Sequence, residues 1–175
     1  MSRVLEAALA LAVIAAAGCS GRAQQVDERL LLGLEEARAW QHRADLHLVD
    51  GDVAGATADV EHVLAISFPP QAPEAEEARL DAWARLARLH LGESDAAEER
   101  ALGDIERGRA ESTRDSFYRA HLETVAGEIL EARAARLLPL DAARARLVRQ
   151  QALAVYAQSI SINQRVQARL QQGER

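Results

Sequence analysis

The chain has 175 residues, 49% of them hydrophobic, only 3% aromatic, with a formal net charge of −6 and a single cysteine. One cysteine excludes a disulfide framework, and an acidic balance without interleaved basic and aromatic residues argues against nucleic acid as a partner. Alanine and leucine dominate, prolines number four, and all 21 basic residues are arginine, so the material is helix-forming and an interior must be built from small side chains and leucines.

The first segment holds Arg3, an apolar run of 11 residues from Ala7 to Ala17, and then Gly18-Cys19. A membrane-spanning helix needs roughly 20 apolar residues, whereas the apolar part of a secretory signal has about 7–15 followed by small residues. A cleaved signal over residues 1–18 is therefore expected. Residues 19–25 read as a short tether, and residues 26–172 as one helical domain.

A helix is predicted from Asp27 to Val49, with Leu30, Leu34, Ala37, Ala44 and Leu48 forming an apolar stripe. Asp50-Gly51-Asp52 ends it. A second helix runs to about Ile66, with Ala56, Val60, Val63 and Leu64 inward, and Phe68 to Pro73 with three prolines is the strongest breaker. A third helix covers about Glu74 to Leu91, its early acids suited to the positive end of the helix dipole. The fourth is expected to end near Arg107, at Gly108 and Ser112-Thr113, and to bury Leu102 and Ile105. A fifth runs to Leu137 with Phe117, Leu122, Val125, Ile129 and Leu130 on one side. After Leu138-Pro139, Asp141 caps a sixth helix reaching about Leu170. No strand alternation is visible.

Charge is uneven. Before residue 132 there are 13 arginines and 25 acids; from there on there are eight arginines and two acids. The basic end either docks on the acidic body, stays solvated, or meets an acidic partner, an anionic membrane or another copy.

Ala39-Trp40-x-x-x-Ala44-x-Leu46-His47-Leu48 recurs as Ala82-Trp83-x-x-x-Ala87-x-Leu89-His90-Leu91, offset by 43 residues. Six of ten positions match, including both tryptophans of the chain. Each copy meets a polar turn and a second helix, so the repeated unit is a helical hairpin.

These hairpins resemble tetratricopeptide repeats. Trp40, Ala44, Ala56 and Val60 fit the first unit, and Trp83, Leu86 and Ala87 the second, with His90 at the family's aromatic place. Leu122, Val125, Ala126 and Ile129 fit a third first helix. Ala152 to Asn163 resembles its second helix, but Ala152 follows Leu122 by 30 residues, which requires a lengthened last hairpin. The resemblance implies an all-α solenoid of about three stacked hairpins with long first and last helices. It also implies a concave protein-binding face with Arg38, Gln41 and Asp45 from the first unit, Asp81 and Arg88 from the second, and Glu123 from the third.

Ala16-Ala17-Gly18-Cys19 resembles a lipobox, which implies covalent lipid on Cys19. Ser20 in the next place resembles the default outer-membrane route of proteobacterial lipoproteins. The remaining alternatives are plain secretion, with cleavage after Ala17 or Ala23, and an uncleaved chain with a buried, inert cysteine.

His47 and His90 read as interhelix packing because they are equivalent in the repeat, and His42 and His47 are five apart, not the four that stacks two ligands on a helix face. Glu35-Glu36 and Glu98-Glu99 read as solvated faces, and no serine has a nucleophile-elbow pattern. The expectation is a lipid-anchored, non-catalytic adaptor without metal or other cofactor. It would bind protein partners at a bacterial envelope membrane, facing the periplasm from the outer membrane, in outer-membrane, pilus or secretion machinery. The alternatives are a self-associating structural lipoprotein and a cell-wall hydrolase or hydrolase cofactor.

Overall fold

A computed structural model describes residues 27–92 and 94–173; Cys19, the signal and the tether lie outside them. The described chain is all-helical, six helices taking about 83% of it, with no strand among the described residues. They are α1 (Glu28–Val49), α2 (Val53–Ala65), α3 (Pro73–His90), α4 (Asp95–Glu111), α5 (Phe117–Leu137) and α6 (Ala142–Gln171).

Most helix starts have a side-chain cap. The carboxylates of Asp27, Asp52 and Asp141 and the hydroxyls of Ser94 and Ser116 accept first-turn amide protons, groups that would otherwise lack partners. For α3 the first position is Pro73 instead, which brings no N–H to satisfy. The turn between α1 and α2 depends on Gly51, whose φ of 77° suits a residue without Cβ.

Each helix packs on the next: α1 on α2, α3 on α4, α5 on α6, with further contacts of α2 on α3 and α4 on α5. Among non-consecutive helices, α3 touches both α1 and α5. Two cores result, and α3 supplies both. Ala82 and Leu86 join Ala37, Ala44, Ala56, Val60 and Val63. Leu80, Ala84 and Ala87 join Ala101, Ile105, Leu122, Val125 and Ile129. Alanines at the contacts let helix axes approach closely, and the larger residues fill the space between neighbouring pairs.

Three expectations need correction. α4 continues through Gly108 to Glu111, because Gly108 is a close-approach residue: a Cβ there would lie 2.9 Å from Leu122 and 3.0 Å from Trp83. Phe117 faces solvent, 62% exposed, since it opens α5 ahead of the apolar stripe that begins at Ala120 and Leu122. Leu48 is also exposed; it borders a hollow between α1 and α3 instead of entering the core.

Candidate protein-binding groove

α1, α3 and α5 share a surface. Residues of α1, α3 and α5 line two adjoining hollows of about 280 and 270 Å³ that have Asp81 in common. Leu34, Arg38, Gln41, Glu77, Asp81 and Tyr118 wall the first. Asp45, Leu48, Asp81, Arg85, Arg88 and His121 wall the second.

Five of the six residues expected on this face are there, and hydrogen bonds tie most of them from helix to helix. Gln41 Nε2 donates to Asp81 at 2.8 Å. Arg85 reaches Asp45 at 2.8 Å and Asp81 at 3.3 Å. Arg88 forms a two-point pair with Glu128 of α5, at 2.9 and 3.0 Å, and its Nη1 lies 3.2 Å from His121. Among the described residues Arg38 pairs only within its own helix, with Glu35 at 2.8 Å. The face is thus a ladder of exposed and half-exposed ion pairs running from α1 to α5.

Glu123 is the exception. It is fully buried, accepting from Arg109 Nε at 3.1 Å and lying 3.3 Å from Arg119. A carboxylate inside the stripe of Leu122, Val125 and Ala126 faces the core rather than the groove. Arg119, one turn earlier, is the local sign that this acid is paired. On α5 the groove positions belong instead to Tyr118, His121 and Glu128, which resemblance alone did not select. Burial, then the neighbouring Arg88 charge, holds His121 below its ordinary pKa of 6.5. Phe117 stacks beside His121, ring centroids 6.2 Å apart and planes 5° from parallel, so the α5 end of the face is aromatic.

Three more carboxylates are buried, each against cations from other turns. Asp59 accepts from Arg43 Nε at 2.7 Å, and this bond holds it below its ordinary range. Asp104 meets His90 at 2.6 Å and Arg107 at 2.9 Å. Glu98 meets Arg133 at 3.0 Å and Arg136 at 2.7 Å. The solvated reading of Glu98 is therefore incorrect; its arginines come from the far end of α5, more than 30 residues on.

Both tryptophans and both repeated histidines work between helices. Trp40 stacks on His62 of α2, centroids 4.2 Å apart, under the Arg43 guanidinium. Trp83 donates to Glu111 of α4 at 3.2 Å. His47 meets Asp52 at 2.8 Å, as His90 meets Asp104. Among the described residues no group of three His, Cys, Asp or Glu is placed to hold a metal ion. None of the described helices is long and apolar enough to cross a membrane. No family model, curated protein or solved structure matches the chain.

Proposed function

We propose that this chain is a lipid-anchored adaptor, a tetratricopeptide-like solenoid of three hairpins (α1/α2, α3/α4 and α5/α6) that holds a protein partner on the face lined by α1, α3 and α5. The single observation that supports this best is the pair of adjoining hollows along three first helices. A partner segment laid across them would meet polar groups of known order: Arg38, the Gln41–Asp81–Arg85 cluster, then Arg88 and His121. Their hydrogen bonds are charge-assisted, so the surface suits an extended peptide or a helix with charges of both signs. The proposed anchor is lipid on Cys19, at the periplasmic side of a bacterial outer membrane. The chemistry needed is binding alone, with no catalytic step or cofactor.

Two measurements test the two halves separately. Metabolic labelling with a radioactive fatty acid should mark the full-length protein and leave Cys19→Ser unlabelled; equal labelling of both removes the anchor. A photo-crosslinking side chain at Ala78, in the first hollow, should capture a discrete partner in the native envelope. The same group at exposed Glu99 on α4 serves as the back-face control. Capture of the same species from both positions, or from Glu99 alone, refutes the groove.

A further inference from the structure

α1 and α6 are the first and last of the described helices, and among these each keeps one long side uncovered: α1 packs only on α2 and α3, α6 only on α5. On α1 the uncovered side has Leu32 (71% exposed), Ala39 and Leu46 (65% exposed) at intervals of seven. Seven residues make two turns less about 20°, so the three form one stripe. Glu28 and Glu35, also exposed and seven apart, run beside it, Glu35 in a surface pair with Arg38. Arg43, the nearest cation on that side, is turned onto Asp59 and the Trp40 ring.

On α6 the uncovered side has Leu153 (63% exposed), Ala157 and Ile160 (58% exposed). Arg146, seven before Leu153, and Arg149, four before it, are exposed and make no ion pair with any described residue. Across its 30 residues α6 contains no acid. Leu153 and Ile160 are seven apart, as Leu32, Ala39 and Leu46 are, and the charges beside the two stripes differ: glutamates, with Arg29 at one end, along α1, and arginines alone along α6. This is the pattern by which paired helices bury a heptad seam and use flanking charges to choose the partner.

We propose that the uncovered side of α6 docks on the uncovered side of α1 of a second copy. The contact joins two different surfaces, so it repeats head to tail, making chains or closed rings instead of a two-fold pair. One helix seam is small among specific interfaces, so association is weak in dilute solution and favoured where copies are concentrated. The groove of α1, α3 and α5 is not used, and this contact does not depend on what the groove binds.

The test uses the full chain with Cys19→Ser, purified in mild detergent, and a short bismaleimide. Ala39→Cys and Ala157→Cys place thiols at the centre of each stripe, where either helix direction brings them together. The chain bearing both should give a ladder of dimers, trimers and larger species. A mixture of the two single variants should give dimers only, and each alone should give none. Arg146→Glu with Arg149→Glu should reduce the ladder several-fold at unchanged helicity, and adding Glu28→Arg with Glu35→Arg should restore it. Dimers from Ala157→Cys alone would mean that α6 pairs with itself and would overturn the proposal. So would the absence of cross-links, or a ladder indifferent to the charge reversal.

Discussion

Removing Arg109 should damage this protein more than removing its partner Glu123. Arg109 Nε lies 3.1 Å from the fully buried carboxylate, and Arg119 is the second cation at 3.3 Å. Arg109→Met leaves a carboxylate in the core with one cation instead of two. Breaking a buried pair ordinarily costs about 3–5 kcal/mol; because Arg119 remains, we expect about 2–3 kcal/mol. Glu123→Met is the opposite case. No fully buried charge is left behind: Arg109 keeps Glu106, and Arg119, 15% exposed, loses its carboxylate partner but keeps the carbonyls of residues 109 and 112. Filling the site with an apolar chain of similar size, with Arg119 still held by two carbonyls, should cost about 1 kcal/mol, less than Arg109→Met. Urea unfolding followed by far-ultraviolet circular dichroism measures both, urea being uncharged. With a slope of about 2 kcal/mol per molar, Arg109→Met lowers the midpoint by about 1 M. A loss for Glu123→Met equal to or greater than that for Arg109→Met would refute the argument that the stranded charge is what costs.

Two glycines should respond oppositely to alanine. At Gly103, in α4, a Cβ meets nothing within 4 Å, so Gly103→Ala raises stability by about 1 kcal/mol through helix propensity. At Gly127 the Cβ would lie 2.6 Å from the Tyr156 ring. Overpacking of about 1–3 kcal/mol then exceeds the propensity gain, and the thermal midpoint falls. Asp59 sets an acid limit. Arg43 depresses its pKa below the ordinary 3.8, so its contribution is complete above that value and is lost as pH falls through the lower folded value. Asp59→Asn should flatten the stability profile in that interval, and an unchanged acid limb would remove Arg43 as the cause. For His121, burial and Arg88 place the folded pKa below 6.5, so its contribution is full above 6.5 and declines as pH falls from there toward the folded value. An NMR titration should give a midpoint under 6.5 that moves upward in Arg88→Met.

The repeat and the helix boundaries were legible because their causes are local. A tryptophan recurring after 43 residues, an aspartate or serine before an apolar period, and a glycine or proline after it act within a turn or two of themselves. That Gln41, Asp45, Asp81 and Arg88 share one face of α1 and α3 was legible for the same reason, their spacing within each helix. Register failed on α5, where no tryptophan marks the start and the aligned position fell on Glu123. Glu98 looked solvated because its partners, Arg133 and Arg136, are brought to it only by the packing of α5 on α4. Phe117 looked inward because it is large and apolar, and only the position of the α5 start shows that the core does not cover it.

Two populations of ion pairs divide the work. Asp59, Glu98, Asp104 and Glu123 are buried and tie helices together; each is costly to disturb because a charge would be left in a dry place. The pairs along the groove are different. Arg88–Glu128 is about two-fifths exposed on both sides and Asp45 is half exposed, and such pairs contribute about 0–1 kcal/mol each. On the proposed binding role, a partner would exchange its own carboxylate for Glu128, or its own cation for Arg85, at little cost. Exchange alone adds little affinity, since one pair replaces another. What it would add is order: only a segment with its charges in the sequence set by Arg38, Asp81, Arg85 and Arg88 would find every replaced pair satisfied, while a misplaced like charge would be penalised. Affinity would then come from apolar contact with Leu34, Leu48 and Tyr118. On that reasoning Leu48→Ser should weaken capture of any true partner, while Glu128→Gln should alter which charged segments are tolerated with less effect on the tightness of binding.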